Sequence, residues 1–278
     1  MQQGGFAIST GKTIRLKRIF NKKGKAIIFA PVHNMTSPEP YKGQVNVPEA
    51  VESAVAGGAT AMVMSKGFLR QSAPKWDGSI GILNYLFTYA SLSPDPIQQV
   101  MISGVKESAR IGADGVCFFV GLSTKNDQAV IEMLGKVGEL CDRHGLVFAA
   151  EAEFPGFYES SETHLKKHGV RYLKFTARLC AELGCDLIST NWTGDEESFA
   201  DLVDYVKIPV LINGGPKMPE PEFLSMVEKS VKAGGCGCLV GRNISEAKNV
   251  TGIVKAISMI TDNQCNAIEA YKRSCDEA

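Results

Sequence analysis

The chain has 278 residues, of which 44% are hydrophobic, and this length suits one large core of the size of a single α/β barrel. Its 30 basic and 30 acidic residues balance, so no net field favours nucleic acid or an acidic membrane surface as a partner. No early apolar segment has the pattern of a signal peptide, and no apolar run reaches the length of a membrane span. We therefore expect a cytoplasmic protein that binds neither nucleic acid nor membrane.

Eight cysteines are spread along the chain, most of them within apolar runs. The pair in Cys236-Gly-Cys238 has no second pair and no histidine at zinc spacing beside it. This usage is typical of buried thiols in a reducing compartment. We predict neither a metal site nor a cofactor.

The first residues show no clear pattern of apolar positions, and we expect residues 1–14 to form an N-terminal arm. A basic run over residues 12–25 overlaps this arm, and few aromatic residues interleave it. The preferred interpretation is a solvated face or a contact with another subunit. An RNA-binding arm is the alternative.

Short apolar runs alternate with helical segments along the rest of the chain. Eight runs have the length of buried strands: residues 26–32, 60–65, 81–86, 115–120, 146–152, 185–190, 208–213 and 236–240. Between them we predict helices over residues 48–57, 94–111, 126–144, a long one ending at 183, 196–205 and 219–233, with a last helix over 250–278.

Eight alternating units predict an α/β protein with a closed (β/α)8 TIM barrel, built as a single domain over residues 1–278. A doubly wound open sheet is the alternative. The fingerprint that such a sheet would need, G-x-G-x-x-G after the first strand, is missing from the chain.

The seventh and eighth predicted strands each end in a glycine-rich turn that carries a basic residue. Both turns open at the same edge of a parallel sheet, where exposed peptide N–H groups and a nearby cation suit a phosphate dianion. In the simpler alternative, the glycines only turn the chain. The predicted phosphate ligands are Asn213, Gly214, Gly215, Lys217, Gly241 and Arg242.

Four motifs carry a family resemblance: residues 15–20 with Gly24-Lys25, residues 66–70, residues 213–217 and residues 240–244. Together they resemble the DhnA-type class I fructose-bisphosphate aldolases, a group that includes archaeal aldolases and the bacterial thiolase acting on phosphorylated autoinducer. The resemblance implies a (β/α)8 barrel and a phosphorylated ketose or diketone as ligand. It also implies a homo-oligomer, often a decamer.

Three positions depart from the pattern of that family. The family forms a Schiff base through a lysine at the end of the sixth strand, where this chain has Ser189. The family's Asp-His pair after the first strand corresponds to Val32-His33, and its tyrosine at the end of the fifth strand corresponds to Phe154. Serine cannot form an iminium ion with a ketone. Lys66 stays open as a relocated lysine, whereas Lys174 is expected to point outside the barrel.

Five polar residues near strand ends are the candidates for chemistry. His33 has the side chain whose ordinary pKa suits proton transfer near pH 7, although an imidazole hydrogen-bonded to the backbone is an equal alternative. Glu151 and Glu153 share one face of a strand, either the lumen or the outer face. Ser189 and Asn191 share a face that the resemblance places inward, and we expect them to hydrogen-bond a carbonyl or hydroxyl group.

Three hypotheses follow for function. The first is an aldolase-like enzyme that uses these acid/base residues, and no Schiff base, to make or break a C–C bond of a phosphorylated carbonyl compound or to isomerise it. The second is a phosphosugar-binding protein without catalysis. The third is a metal-assisted lyase, in which the two glutamates hold a divalent cation.

Overall fold

Ten strands form in the described part of the chain, and eight of them close a parallel barrel. The computed structural model describes residues 9–76, 78–89, 91–92, 99–155 and 161–276. The strands are β1 (Ala26–Phe29), β2 (Ala61–Met64), β3 (Gly81–Tyr85), β4 (Phe87–Tyr89), β5 (Gln99–Met101), β6 (Gly115–Val120), β7 (Val147–Ala152), β8 (Leu187–Thr190), β9 (Val210–Asn213) and β10 (Gly237–Val240). The barrel strands follow chain order, and β10 pairs with β1. The predicted TIM barrel is confirmed.

The barrel strands are buried on both faces, because helices cover the outside and side chains fill the inside. Alternate residues divide into two apolar clusters. The inner cluster includes Ile28, Leu83 and Leu211. The outer cluster includes Phe29 and Ile212, which pack against helices. The position of a residue in this alternation therefore decides whether its side chain reaches the lumen.

Most helices begin and end close to their predicted bounds, but the last predicted helix, over residues 250–278, is two helices separated by residues 262–266. Gly169, with φ of 73°, breaks the helix over Ser161–Glu182. Among the described residues, no helix has the length and apolar character needed to cross a bilayer. The helices after the first are α2 (Val47–Ala56), α3 (Lys66–Ser72), α4 (Val105–Arg110), α5 (Asp127–His144), α6 (Ser161–Glu182), α7 (Glu196–Val206), α8 (Glu220–Lys232), α9 (Arg242–Ser245), α10 (Val250–Thr261) and α11 (Ala267–Asp276).

A small antiparallel hairpin of β4 and β5 replaces part of the helix predicted over residues 94–111. Phe87 pairs with Met101 in its register, and the Ile102 N–H donates to the Leu86 carbonyl at 2.9 Å. Helix α4 begins only at Val105, so the prediction is wrong for residues 99–104; residues 93–98 lie outside the described part of the chain. Backbone pairing with β4 holds this segment extended.

The first helix, α1 (Thr10–Ile19), packs at the N-terminal end of the barrel. Lys12 is buried there and forms ion pairs with Asp142 at 2.5 Å and Asp186 at 3.1 Å. Arg18 forms another with Asp114 at 2.8 Å. The predicted arm is therefore wrong for residues 10–14, and Lys12 does not lie on a solvated face. The apolar side of α1 packs against the inner cluster and closes this end of the lumen. This packing buries Lys12, which belongs to the basic run.

Replacing Lys12 by alanine should destabilise the protein by about 3 kcal/mol, because it leaves the half-buried carboxylate of Asp186 without its cation. Lys22→Ala removes an exposed lysine of the same basic run and should change the free energy of unfolding by less than about 0.5 kcal/mol. Urea unfolding at neutral pH measures both. Equal effects of the two substitutions would contradict the role of Lys12.

Candidate active site

A cavity of about 460 Å³, its open mouth included, lies at the C-terminal end of the barrel strands. Loops after β1, β7, β9 and β10 form its wall, together with the end of β3. Such a position is where TIM-barrel enzymes hold their substrates. The lining residues are Ala30, Val32, His33, Thr36, Tyr85, Glu151, Glu153, Asn213, Gly214, Gly215, Leu239, Gly241 and Arg242.

Glu151 and Glu153 both face this cavity. On β7, Ala149 belongs to the inner cluster and Ala150 to the outer one, so the alternation turns Glu151 inward. It pairs in register with Ser189 on β8. The question left open by the sequence is thereby answered: the shared face of the two glutamates is the lumen.

The low dielectric of the lumen disfavours the charged form of both carboxyl groups. Burial, followed by the neighbouring charge of Glu153, raises the pKa of Glu151 to about 8, against the opposing effect of a hydrogen bond with Tyr85. Burial raises the pKa of Glu153 to about 7, although Arg242 and a hydrogen bond from Asn191 oppose the rise. The raised pKa values favour the retention of a proton on the pair near neutral pH. One carboxyl can donate a proton while the other accepts one.

Asn191 positions Glu153 instead of lining the cavity. Its Oδ1 accepts the backbone N–H of Phe154 at 2.9 Å, which fixes the orientation of the amide. Its Nδ2 then donates to Glu153 Oε2 at 3.3 Å. This hydrogen bond favours the ionised form of Glu153 and holds one of its oxygens in place.

The glycine turns after β9 and β10 border the cavity together. Gly215 has a φ of 62°, in the left-handed region. A Cβ on Gly241 would lie 2.3 Å from Cε1 of His33 and 2.5 Å from the Ala30 carbonyl oxygen. Glycine is therefore needed at 241 because His33 approaches the backbone there. Lys217 is exposed and does not line the cavity, unlike the other predicted phosphate ligands.

Asn243 ties the two turns to each other. Its Nδ2 donates to the carbonyls of Gly214 at 2.8 Å and Pro216 at 3.0 Å. Its Oδ1 accepts the backbone N–H of Met218 at 2.9 Å. The side chain thus uses both ends of its amide to fix the distance between the turns. Asn243 lies within one of the motifs that carry the family resemblance, but the sequence alone indicated no role for it.

Arg242 places a positive charge at the cavity. Its guanidinium lies over the ring of Tyr41, 5.8 Å from the centroid, and Nη1 reaches the Tyr41 hydroxyl at 3.5 Å. Its buried Nε has no hydrogen-bond partner among the described residues. A guanidinium with an unpartnered Nε beside two glycine turns is suited to an oxyanion. Tyr41 is a residue that the sequence analysis missed.

His33 borders the cavity but does not match the proton-transfer expectation. Burial and the charge of Arg242 lower its pKa to about 3, and a hydrogen bond to the Ala30 carbonyl only partly opposes them. The neutral imidazole accords with the backbone-bonded alternative and serves as a hydrogen-bonding group near pH 7. Gln44, also missed, accepts the His33 backbone N–H at 2.9 Å and donates to Ser245 Oγ at 3.0 Å.

None of the described residues that line the cavity is a lysine. Lys66 pairs with Glu107 at 3.1 Å, outside the lining. Lys174 pairs with Asp201 at 2.6 Å, which confirms that it points away from the barrel. Ser189 lies on the lumen face of β8, where the resemblance puts the family's lysine. Tyr85, missed by the sequence analysis, is the phenol that reaches the glutamates.

The model of the DeoC/LacD family of aldolases matches residues 27–247 of this chain, a span that contains the cavity and almost all of the barrel. The chain belongs to the DeoC/LacD aldolase family. Within the family, it is 32% identical over 262 residues to 2-amino-3,7-dideoxy-D-threo-hept-6-ulosonate synthase 1 of Archaeoglobus fulgidus, covering 94% of this chain and 95% of that protein.

Two further relatives accord with the family. A 2-amino-4,5-dihydroxy-6-oxo-7-(phosphonooxy)heptanoate synthase of Streptomyces griseus is 24% identical over 91% of this chain and 90% of its own length. Among solved structures, an archaeal fructose-1,6-bisphosphate aldolase, with its catalytic lysine covalently bound to the carbinolamine intermediate, has a TM-score of 0.78. It is 25% identical, over 90% of this chain and 99% of that one.

Glu151→Gln should make stability less dependent on pH. At pH values between the ordinary pKa of 4.5 and the folded pKa of about 8, Glu151 keeps a proton in the folded chain that it has lost in the unfolded chain. The free energy of unfolding therefore falls as pH rises through this range. A neutral amide removes this fall. We expect the variant to gain about 2 kcal/mol or more over the wild type between pH 4 and pH 9, measured by urea unfolding.

Glu222→Gln is the matched control, because this glutamate of α8 is exposed and its charge is solvated in both states. It should follow the pH dependence of the wild type. A Glu151→Gln variant that also follows the wild type would show that Glu151 ionises in the folded protein as readily as in water.

Proposed function

We propose that this protein makes or breaks a C–C bond of a phosphorylated carbonyl compound without forming a Schiff base. The observation that carries the proposal is the lining of the cavity. Arg242 and the glycine turns suit an anion, and Glu151 with Glu153 suits proton transfer, whereas no described lining residue is a lysine. Membership of an aldolase family supports a carbon–carbon lyase or synthase.

The names of the relatives support a ketone with a phosphate on the neighbouring carbon as the substrate or product. Both synthases are named for seven-carbon 2-amino ketones, and one of these names includes a 7-phosphonooxy group. We assign the phosphate to Gly214, Gly215, Gly241 and Arg242, and the carbonyl end to the glutamates. Lys217 contributes at most long-range charge, because its side chain is exposed. A homo-oligomer stays a prediction.

The proposed reaction proceeds through an enediolate. Glu153, whose carboxylate Asn191 and Arg242 favour, removes a proton from the carbon next to the carbonyl group. The C–H electron pair forms the C=C bond, and the carbonyl π pair moves to oxygen, where the protonated Glu151 donates a hydrogen bond and keeps its proton. The C=C pair then attacks the carbon of an aldehyde, the oxygen pair re-forms the C=O bond, and the proton on Glu153 passes to the new alkoxide. Cleavage is the reverse sequence, and without an aldehyde the same enediolate leads to isomerisation.

Two alternatives predict different behaviour of the same cavity. A phosphosugar-binding protein without catalysis is favoured by the neutral His33, and it would bind ligands without turnover. A metal-assisted lyase would lose activity with a chelator and regain it with a divalent cation. Within the described ranges, no group of three His, Cys, Asp or Glu side chains is arranged to hold a metal ion.

Borohydride trapping tests the mechanism. With dihydroxyacetone phosphate and sodium borohydride, we expect no stable adduct on any lysine, because no lysine of the described cavity lining can form an iminium ion. Peptide mass spectrometry after digestion detects such an adduct, and an aldolase with a known Schiff-base lysine serves as the positive control. A trapped lysine in this chain would refute the mechanism.

Arg242→Met should weaken binding of inorganic phosphate and of dihydroxyacetone phosphate by about 10-fold or more, because a hydrogen-bonded charge contact in a partly buried site is lost. Isothermal titration calorimetry measures both ligands. Lys217→Met should change affinity by less than about 3-fold, as expected for an exposed cation in salt. Arg273→Met, at an exposed arginine of α11, controls for net charge. Unchanged phosphate affinity in Arg242→Met would contradict the assignment.

A further inference from the structure

Three adjacent strands present a polar side chain to the lumen close to one another. Glu151 on β7 pairs in register with Ser189 on β8, and Ser189 pairs with Leu211 on β9. Asn213 lies two residues beyond Leu211 and therefore on the same inner face. Both Glu151 and Asn213 line the cavity. The three side chains form a strip on one wall of the barrel mouth.

Two members of this strip have polar atoms that no group in the described part of the chain satisfies. Ser189 is 1% exposed and Asn213 is 4% exposed. Neither Ser189 Oγ nor Asn213 Oδ1 or Nδ2 has a hydrogen-bond partner among the described residues. Buried hydroxyl and amide groups are normally paired, since leaving them unpaired destabilises the folded state. Asn213 lines the cavity and Ser189 lies on the same inner face, so a ligand in the cavity is the candidate partner for these groups.

Nearby asparagines differ from Asn213 in how their amides are used. Asn191 uses its amide on Phe154 and Glu153, and Asn243 uses its amide on three backbone groups. Both are positioning residues that hold the site in shape. Asn213, between them in the fold, lines the cavity, and no described residue hydrogen-bonds either end of its amide. Asn213 therefore differs from the two positioning residues, Asn191 and Asn243.

The donors of the strip point to an acceptor. Ser189 offers one O–H, Asn213 offers two N–H bonds, and the protonated Glu151 offers another O–H. A carbonyl oxygen that gains negative charge accepts such hydrogen bonds, and neutral donors fixed in a low dielectric stabilise it strongly. The Oδ1 of Asn213 remains as an acceptor for a hydroxyl on the neighbouring carbon. An α-hydroxyketone, and the enediolate derived from it, offers both groups.

We propose that Glu151, Ser189 and Asn213 form an oxyanion subsite, which hydrogen-bonds the reacting carbonyl oxygen of an α-hydroxyketone as negative charge develops on it. This inference rests on the proposed function and refines it. In this proposal Asn213 is a catalytic residue and not a phosphate ligand. Ser189 acts as a donor and forms no covalent bond. These three neutral groups then stabilise the negative charge on the carbonyl oxygen. In an enzyme that forms a Schiff base, the iminium nitrogen would accept that electron density instead.

The test compares two phosphorylated probes that differ at the carbonyl end. Phosphoglycolohydroxamate resembles an enediolate, whereas dihydroxyacetone phosphate is the neutral ketone. We expect the full-length protein to bind the hydroxamate at least about 30-fold more tightly, as transition-state analogues bind. In Asn213→Ala, the affinity for the hydroxamate should fall by about 10-fold or more, as loss of an oxyanion donor implies. The affinities for the ketone and for inorganic phosphate should change by less than about 3-fold, because uniform binding is kept.

Ser189→Ala and Asn213→Asp keep the test decisive if the alanine variant at 213 fails to fold. Ser189→Ala is nearly isosteric and should lower the preference for the hydroxamate without lowering the melting temperature, because it removes an unpartnered hydroxyl. Asn213→Asp replaces donors by acceptors and should abolish the preference. Ser72→Ala is the matched control, since the Ser72 hydroxyl is also buried and unpartnered but lies on α3, outside the cavity.

The outcomes distinguish failure of the oxyanion subsite from failure of the proposed function. Equal weakening of hydroxamate, ketone and phosphate in Asn213→Ala would make Asn213 a phosphate ligand and overturn the subsite. An absent preference for the hydroxamate in the wild type would overturn it as well, leaving phosphate binding intact. If no phosphorylated probe and no inorganic phosphate binds the wild type, the proposed function fails together with the subsite.

Discussion

The cost of ionising two carboxyl groups inside a closed barrel governs the chemistry of this protein. Glu151 on β7 and Glu153 just after it face the cavity, where burial disfavours their charge, and among the described residues Arg242 places a positive charge near Glu153. A proton therefore stays on the pair near neutral pH, and a donor and an acceptor coexist at one place. Burial and the charge of Arg242 also keep His33 neutral, so one cation influences the protonation of two neighbours, His33 and Glu153.

Much of the fold follows from the sequence, because alternation of strand and helix is a local signal. Eight apolar runs, each bounded by turn residues, predict the barrel, and the helices bounded by Pro219 and Gly145 begin and end where those residues require. The glycine turns at Gly214 and Gly241 are likewise evident, since glycine beside a basic residue after a strand is a short-range pattern. These features need no knowledge of distant contacts.

Features that depend on distant contacts could not be predicted. The strands are buried on both faces, so no alternation of polar and apolar residues indicates that Glu151 points inward. The pKa of His33 depends on Arg242, 209 positions later in the chain, and the partners of Lys12 are more than 100 positions away. The β4–β5 hairpin forms by backbone pairing that side-chain patterns do not record, and Asn213 became distinct only when its neighbours proved to be paired.

A crystal structure with dihydroxyacetone phosphate bound tests the central claim most directly. We predict the phosphate against Gly214, Gly215, Gly241 and Arg242, and the carbonyl oxygen within about 3 Å of the amide of Asn213, as expected for a hydrogen bond. No electron density should join the ligand to a side chain. Continuous density from the carbonyl carbon to a lysine Nζ, or a phosphate bound away from Arg242, would contradict the account.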